Sequence, residues 1–169
     1  MSVQQGGTVY FADAPKKEPV MNFDTVVKQH IYETIVDGET TRAPTSTEVA
    51  AALGRPVDKV ETAFESLAKK RLLVLEPGDR SRIRMAPPFS GVETAFRVIV
   101  DDKSYYANCV WDALGVLAAL GRDGEVEASD GFTEEWMSLR IIDGEPEPQE
   151  CAIHYAVPAA LWWDDVIFT

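Results

Sequence analysis

The sequence predicts an α+β protein. Three apolar segments of helical period are followed by an alternating hairpin in the first half, and short strand candidates surround one helix in the second. Charge divides at the same place. Residues 42–88 carry 9 basic and 6 acidic side chains, whereas residues 89–169 carry 4 basic and 16 acidic. Pro87-Pro88 sits at this change and marks a boundary between two modules.

Residues 1–21 read as a flexible arm, because Pro15-Lys16-Lys17-Glu18-Pro19 suits neither helix nor strand. Asn22 is a plausible cap for a helix over about Phe23 to Asp37, with Phe23, Val26, Val27, Ile31 and Ile35 on its apolar face and Gly38 ending it. Thr45, Ser46 and Thr47 offer hydroxyl caps to a short helix that carries Glu48 in its first turn and stops at Gly54. After Pro56, the spacing of Val57, Val60, Ala63, Phe64, Leu67 and Ala68 predicts a third helix. Leu72 to Leu75 reads as a strand, Pro77-Gly78-Asp79 as a turn, and Arg80 to Met85 as the hairpin partner. Three helices and a hairpin form a winged-helix-like pattern, assigned to residues 22–87.

Residues 88–169 read as a mixed β-sheet module with flanking helices. Strand candidates are Phe96 to Val100, Glu125 to Ser129, Met137 to Ile142 and Cys151 to Val157, with a loop at Pro146 and Pro148. Tyr105 to Ala107 is a short extended stretch. A helix runs from about Cys109 to Leu120 and stops at Gly121, with Asn108 as its expected cap.

Composition narrows the function. No run of 18 apolar residues marks a membrane span, and the first residues lack the basic-then-apolar pattern of a secretory leader. Two cysteines make no disulfide framework, so a reducing cytoplasm is the expected home. The formal net charge of −12 argues against a general nucleic-acid binder. Lys69-Lys70-Arg71 with Arg80, Arg82 and Arg84 is the contrary sign, a possible recognition-helix end and basic wing. Asp58, Glu61 and Glu65 oppose it on the early turns of the third helix, where base contacts would be made. No Ser-His-Asp arrangement, phosphate loop or zinc ribbon is apparent.

The chemistry-bearing segment is Tyr105-Tyr106-Ala107-Asn108-Cys109-Val110-Trp111-Asp112. Cys109 and Asp112 stand three residues apart, so a helix places them on one face. A thiolate is the ligand a soft metal prefers, and a helix start favours the anion. A partly desolvated site would raise the Asp112 pKa and let it carry a proton. The bland alternative is a buried structural cysteine beside a helix-face acid. Cys151 reads as a core residue whose strand alternation sets it apart from His154, and His154 as structural. Asp164 and Asp165 read as a solvated turn after Trp162 and Trp163.

From about Arg42 to Thr169 the chain resembles the organomercurial (alkylmercury) lyase family. The matching stretches are Pro88-Phe89-Ser90-Gly91-Val92, Tyr106 to Leu114, His154-Tyr155-Ala156-Val157-Pro158 and Trp162-Trp163-Asp164-Asp165. The resemblance implies a winged-helix-like module joined to a catalytic module over residues 88–169. It implies protonolysis of a carbon–mercury bond in mercury detoxification, giving a hydrocarbon and Hg(II). Cys109 would attack and bind the mercury, and Asp112 would transfer the proton. Tyr105, Tyr106 and Trp111 would wall the organic group. No separate cofactor is implied, and cellular thiols are the expected carriers of mercury.

The family also uses a second active-site cysteine just after a stretch like Asp165 to Thr169, where this sequence stops. A cysteine often found before the Met137–Ile142 strand is replaced by the Ser129-Asp130-Gly131 region. The chain is therefore expected to be a fragment, or a homologue lacking the second thiol, and Cys151 is a candidate substitute. Two other readings stand beside the lyase: a non-catalytic homologue that holds organomercury or another soft metal through Cys109, and a winged-helix DNA-binding regulator with a ligand-sensing C-terminal module.

Overall fold

The computed structural model describes residues 22–130, 132–148, 152–155 and 157–164. The arm assigned to residues 1–21, Cys151 and the stretch from Asp165 to Thr169 lie outside the described residues, as does Gly131. Among the described residues, four α-helices and two antiparallel sheets make an α+β fold.

Helix α1, Phe23–Asp37, starts where predicted: the Asn22 side chain accepts from the Thr25 backbone N–H at 2.9 Å. Helix α2, Ser46–Leu53, begins with a full capping box. The Thr45 hydroxyl accepts from the Glu48 N–H at 3.3 Å, and the Glu48 carboxylate accepts from the Thr45 N–H at 2.7 Å. Thr45→Ala removes half of this arrangement and should cost about 1 kcal/mol, read as a lower midpoint in thermal unfolding. The Arg42 guanidinium, joined by the Thr45 N–H, lowers the Glu48 pKa from 4.5 to about 2. Because that folded value lies below the unfolded one, the box stabilises the fold above pH 4.5 and loses its contribution as pH falls toward 2.

Helix α3, Val57–Lys69, buries Val60, Ala63, Phe64 and Leu67. Its exit corrects the expected strand start at Leu72. Arg71 takes a positive φ of 58° and the Leu72 N–H returns to the Leu67 carbonyl at 3.0 Å. This Schellman-type closure uses Leu72 as a helix terminator, so strand β1 begins later, at Val74–Glu76. It pairs with β2, Asp79–Ala86, which pairs in turn with β3, Phe89–Ser90.

The second sheet contains β4 (Phe96–Val100), β5 (Lys103–Ala107), β6 (Gly124–Ser129), β7 (Trp136–Ile142) and β8 (Glu145–Glu147) in the order β5-β4-β6-β7-β8. The sheet expected to be mixed is antiparallel in every described pairing. One helix, α4 (Val110–Leu120), covers it through Ala113, Val116 and Leu117. Gly115 in mid-helix has a packing reason, since a Cβ there would lie 3.1 Å from Pro88 Cβ. Two strand expectations change. The loop expected at Pro146 is the short edge strand β8, where a missing N–H is tolerated. Residues 152–155, expected as part of a strand from Cys151 to Val157, are not in a sheet. A three-residue edge strand with proline at its centre is a poor template for a further ladder.

Buried apolar residues form one contiguous cluster from α1 to β6. Phe89 stands at its seam, 6.3 Å from the Tyr32 ring and 5.5 Å from the Tyr105 ring. The Tyr32 hydroxyl donates to the Pro87 carbonyl at 2.8 Å. Lys103 Nζ donates to the carbonyls of Val36 and Gly38 at 2.6 and 3.2 Å, placing a cation where the end of α1 leaves its carbonyls unpaired. Among the described residues, no helix is long and apolar enough to cross a membrane.

Candidate functional site

The site is built where β5 ends and α4 begins. Cys109 is the N-cap of α4, with extended backbone (φ −150°, ψ 175°) and no side-chain capping bond. Its carbonyl accepts from the Ala113 N–H at 2.9 Å, which starts the helix. This corrects the expected cap at Asn108. The Asn108 amide instead donates to Asp112 Oδ2 at 3.4 Å. It therefore reaches one turn along the helix and holds the carboxyl, a role that the spacing of Asn108 and Asp112 (i, i+4) also allows.

Cys109 thus stands at the cap of α4 and Asp112 in its first turn, and both are half-buried. Burial pushes the Cys109 thiol up, and the Asp112 carboxylate adds to the rise. The backbone N–H groups of Asp112 and Trp111 pull the other way. The expectation that a helix start favours the thiolate is therefore only partly met: the donors act as anticipated, but desolvation outweighs them. Burial also raises the Asp112 carboxyl, while the Asn108 amide opposes the shift. A carboxyl raised in this way spends more time protonated than a surface acid, as a proton donor requires.

Trp111 is 61% exposed and lines an apolar cavity of about 650 Å³ with Ile153, His154, Tyr155, Val157 and Trp162. The wall is braced from within, because Trp162 Nε1 donates to the Val157 carbonyl at 3.1 Å and the Tyr155 and Trp162 rings lie 5.1 Å apart. Tyr105 and Tyr106 point to opposite sides of β5, as alternation requires. Tyr105 is 3% exposed, packed on Phe89, with its hydroxyl 3.5 Å from the Val36 carbonyl. Tyr106 lines a separate cavity of about 380 Å³ with Thr41, Arg42, Ser90 and Lys103. Of the three aromatic residues, Trp111 alone lines the cavity that Tyr155 and Trp162 share.

His154 and Asp164 are exposed. Cys151 and Asp165 lie outside the described residues, and Cys109 is a free thiol. Among the described residues, no group of three or more His, Cys, Asp or Glu side chains gathers as a metal site. Reasoning from spacing missed Tyr155, which fell within the strand expected from Cys151 to Val157. The matched stretch His154 to Pro158 carried the signal that could have found it.

The basic residues weighed as a DNA-reading surface are largely engaged. Lys70 pairs with Asp24 at 2.7 Å, Arg80 with Glu61 and Glu65 at 2.8 and 3.1 Å, and Arg84 with Glu76 at 3.4 Å. Arg71 lies over the Trp163 ring at 5.4 Å.

No curated protein matches the chain. A crystal structure of the mercury-bound form of MerB2 is similar in fold, with a TM-score of 0.57 at 20% identity. The likeness covers 75% of this chain and 60% of that one, so this chain spans about three-fifths of its length. The family model of MerB, alkylmercury lyase, matches residues 89–169, the region that holds Cys109, Asp112 and the cavity. Over residues 89–169 the chain carries the pattern of the alkylmercury lyase family, the family its Cys109 segment already resembled.

Proposed function

We propose that this chain is an organomercurial lyase-like protein that cleaves carbon–mercury bonds by protonolysis in mercury detoxification. The observation that supports it best is the placement of a half-buried thiol at the cap of α4 and a half-buried carboxyl in its first turn, beside an apolar cavity walled by Trp111. In this reading Cys109 displaces the carrier thiol from mercury: its sulfur binds the metal as the thiolate, and its proton leaves on the departing carrier. Asp112, whose raised pKa suits it to hold a proton, delivers one to the carbon. The electron pair of the carbon–mercury bond becomes the new carbon–hydrogen bond, and mercury stays on sulfur as Hg(II). The organic group lies in the cavity, and cellular thiols bring the substrate and remove the metal. Residues 22–87 act as a winged-helix-like support and residues 88–169 as the lyase-like unit, in the cytoplasm. The regulator reading is weakened by the ion pairs that neutralise Lys70, Arg80 and Arg84.

A second reading is a non-catalytic homologue that holds organomercury, or another soft metal, through Cys109. One observation favours it. Cys109 is the sole cysteine among the described residues, and a soft metal is held best by several sulfur ligands. Incubation with phenylmercury and excess thiol separates the two. Benzene in the headspace supports the lyase; one phenylmercury retained per chain with no benzene supports the binder.

A further inference from the structure

The hydroxyl of Tyr155 is enclosed by protein and, among the described residues, has no hydrogen-bond partner. Buried hydroxyls are nearly always paired, and an unpaired one calls for an explanation. The ring is held against Trp162 at 5.1 Å and lines the same cavity as Trp111, which lies between Cys109 and Asp112 in the chain. Burial and the nearby Cys109 and Asp112 all oppose loss of the phenolic proton, so the group remains a donor. The carboxyl offers a complementary vacancy. Asp112 Oδ2 accepts from Asn108, and nothing among the described residues meets Oδ1. The other titratable group on the cavity wall is His154.

We propose that Tyr155 is a positioning residue for the proton-delivering carboxyl: its hydroxyl donates to Asp112 as that group gives up its proton, directly or through one water. The inference rests on the lyase reading. A protonated carboxyl has little need of a second donor, whereas a carboxylate binds one strongly. A donor unpaired in the resting site therefore gives up no existing bond and gains one as charge develops. Such an interaction favours the transition state over the ground state and acts on kcat rather than KM.

The test is steady-state release of benzene from phenylmercury with excess thiol by the full chain, Tyr155→Phe, Asp112→Asn and the double variant. Tyr155→Phe keeps the ring on Trp162, and uptake of phenylmercury on Cys109, located by peptide mass mapping, confirms that its site is formed. The expected result is a kcat roughly tenfold lower with unchanged KM. The loss should vanish in the Asp112→Asn background, because the bonding partner is gone. If Tyr155→Phe releases benzene at the parent rate, or if its loss persists in full in the Asp112→Asn background, this inference alone is overturned. If the parent chain takes up phenylmercury but releases no benzene, the lyase reading fails first and the inference fails with it.

Discussion

Asp112→Asn should lower benzene release from phenylmercury by roughly 10²–10⁴-fold while leaving phenylmercury uptake unchanged. The amide keeps the size of the carboxyl and can still meet the Asn108 side chain, which lies 3.4 Å from Oδ2. What it loses is the proton. Burial raises the Asp112 carboxyl, so the parent residue holds a proton more readily than an exposed acid does. In the proposed reaction that proton is required at carbon in the same step in which mercury parts from it, and an amide cannot supply it. Single-turnover release and mercury stoichiometry, measured on one sample, check both halves. Equal rates for the two chains would assign the proton to solvent and remove Asp112 from the reaction.

Cys109→Ser should abolish both uptake and release at this site. Serine is nearly isosteric, but its hydroxyl is a hard ligand for a soft metal and does not ionise near neutral pH. The N-cap geometry survives, because Cys109 makes no side-chain capping bond, and serine is itself a favoured cap. The fold should therefore be retained or slightly stabilised, and lost uptake reports on sulfur rather than on unfolding. Mass mapping after phenylmercury treatment is the direct check. Mercury retained on Cys151 in this variant would mean that the second cysteine binds on its own.

Much of the local structure was legible because it is local. Asn22, Thr45 with Glu48, Gly54 and Gly121 punctuate the helices through hydrogen bonds and backbone angles within one turn. Strands β4, β6 and β7 follow from alternation and turn residues. The misreadings all depend on partners distant in the chain or on competing closures. Leu72 looked like a strand residue until the Leu67 carbonyl claimed its N–H. Asn108 looked like a cap until its amide turned to Asp112. Residues 152–155 have the apolar alternation of a strand, but β8, with Pro146 at its centre, gives them no ladder to join.

The candidate site divides in the same way. That Cys109 and Asp112 come close follows from the N-cap and the third helical position standing three residues apart, so chain order sufficed for the pair, and the flanking residues tied it to a family resemblance. Their ionisation did not follow from order, because it is set by burial and by which N–H groups face the sulfur. Nor did the wall opposite them. Tyr155 and Trp162 lie more than forty residues further along the chain, and only folding brings them against Trp111. A thiol and a carboxyl are chosen by residue type and spacing, which are properties of a short segment. The apolar surface beside them is assembled from distant segments, so packing alone creates it.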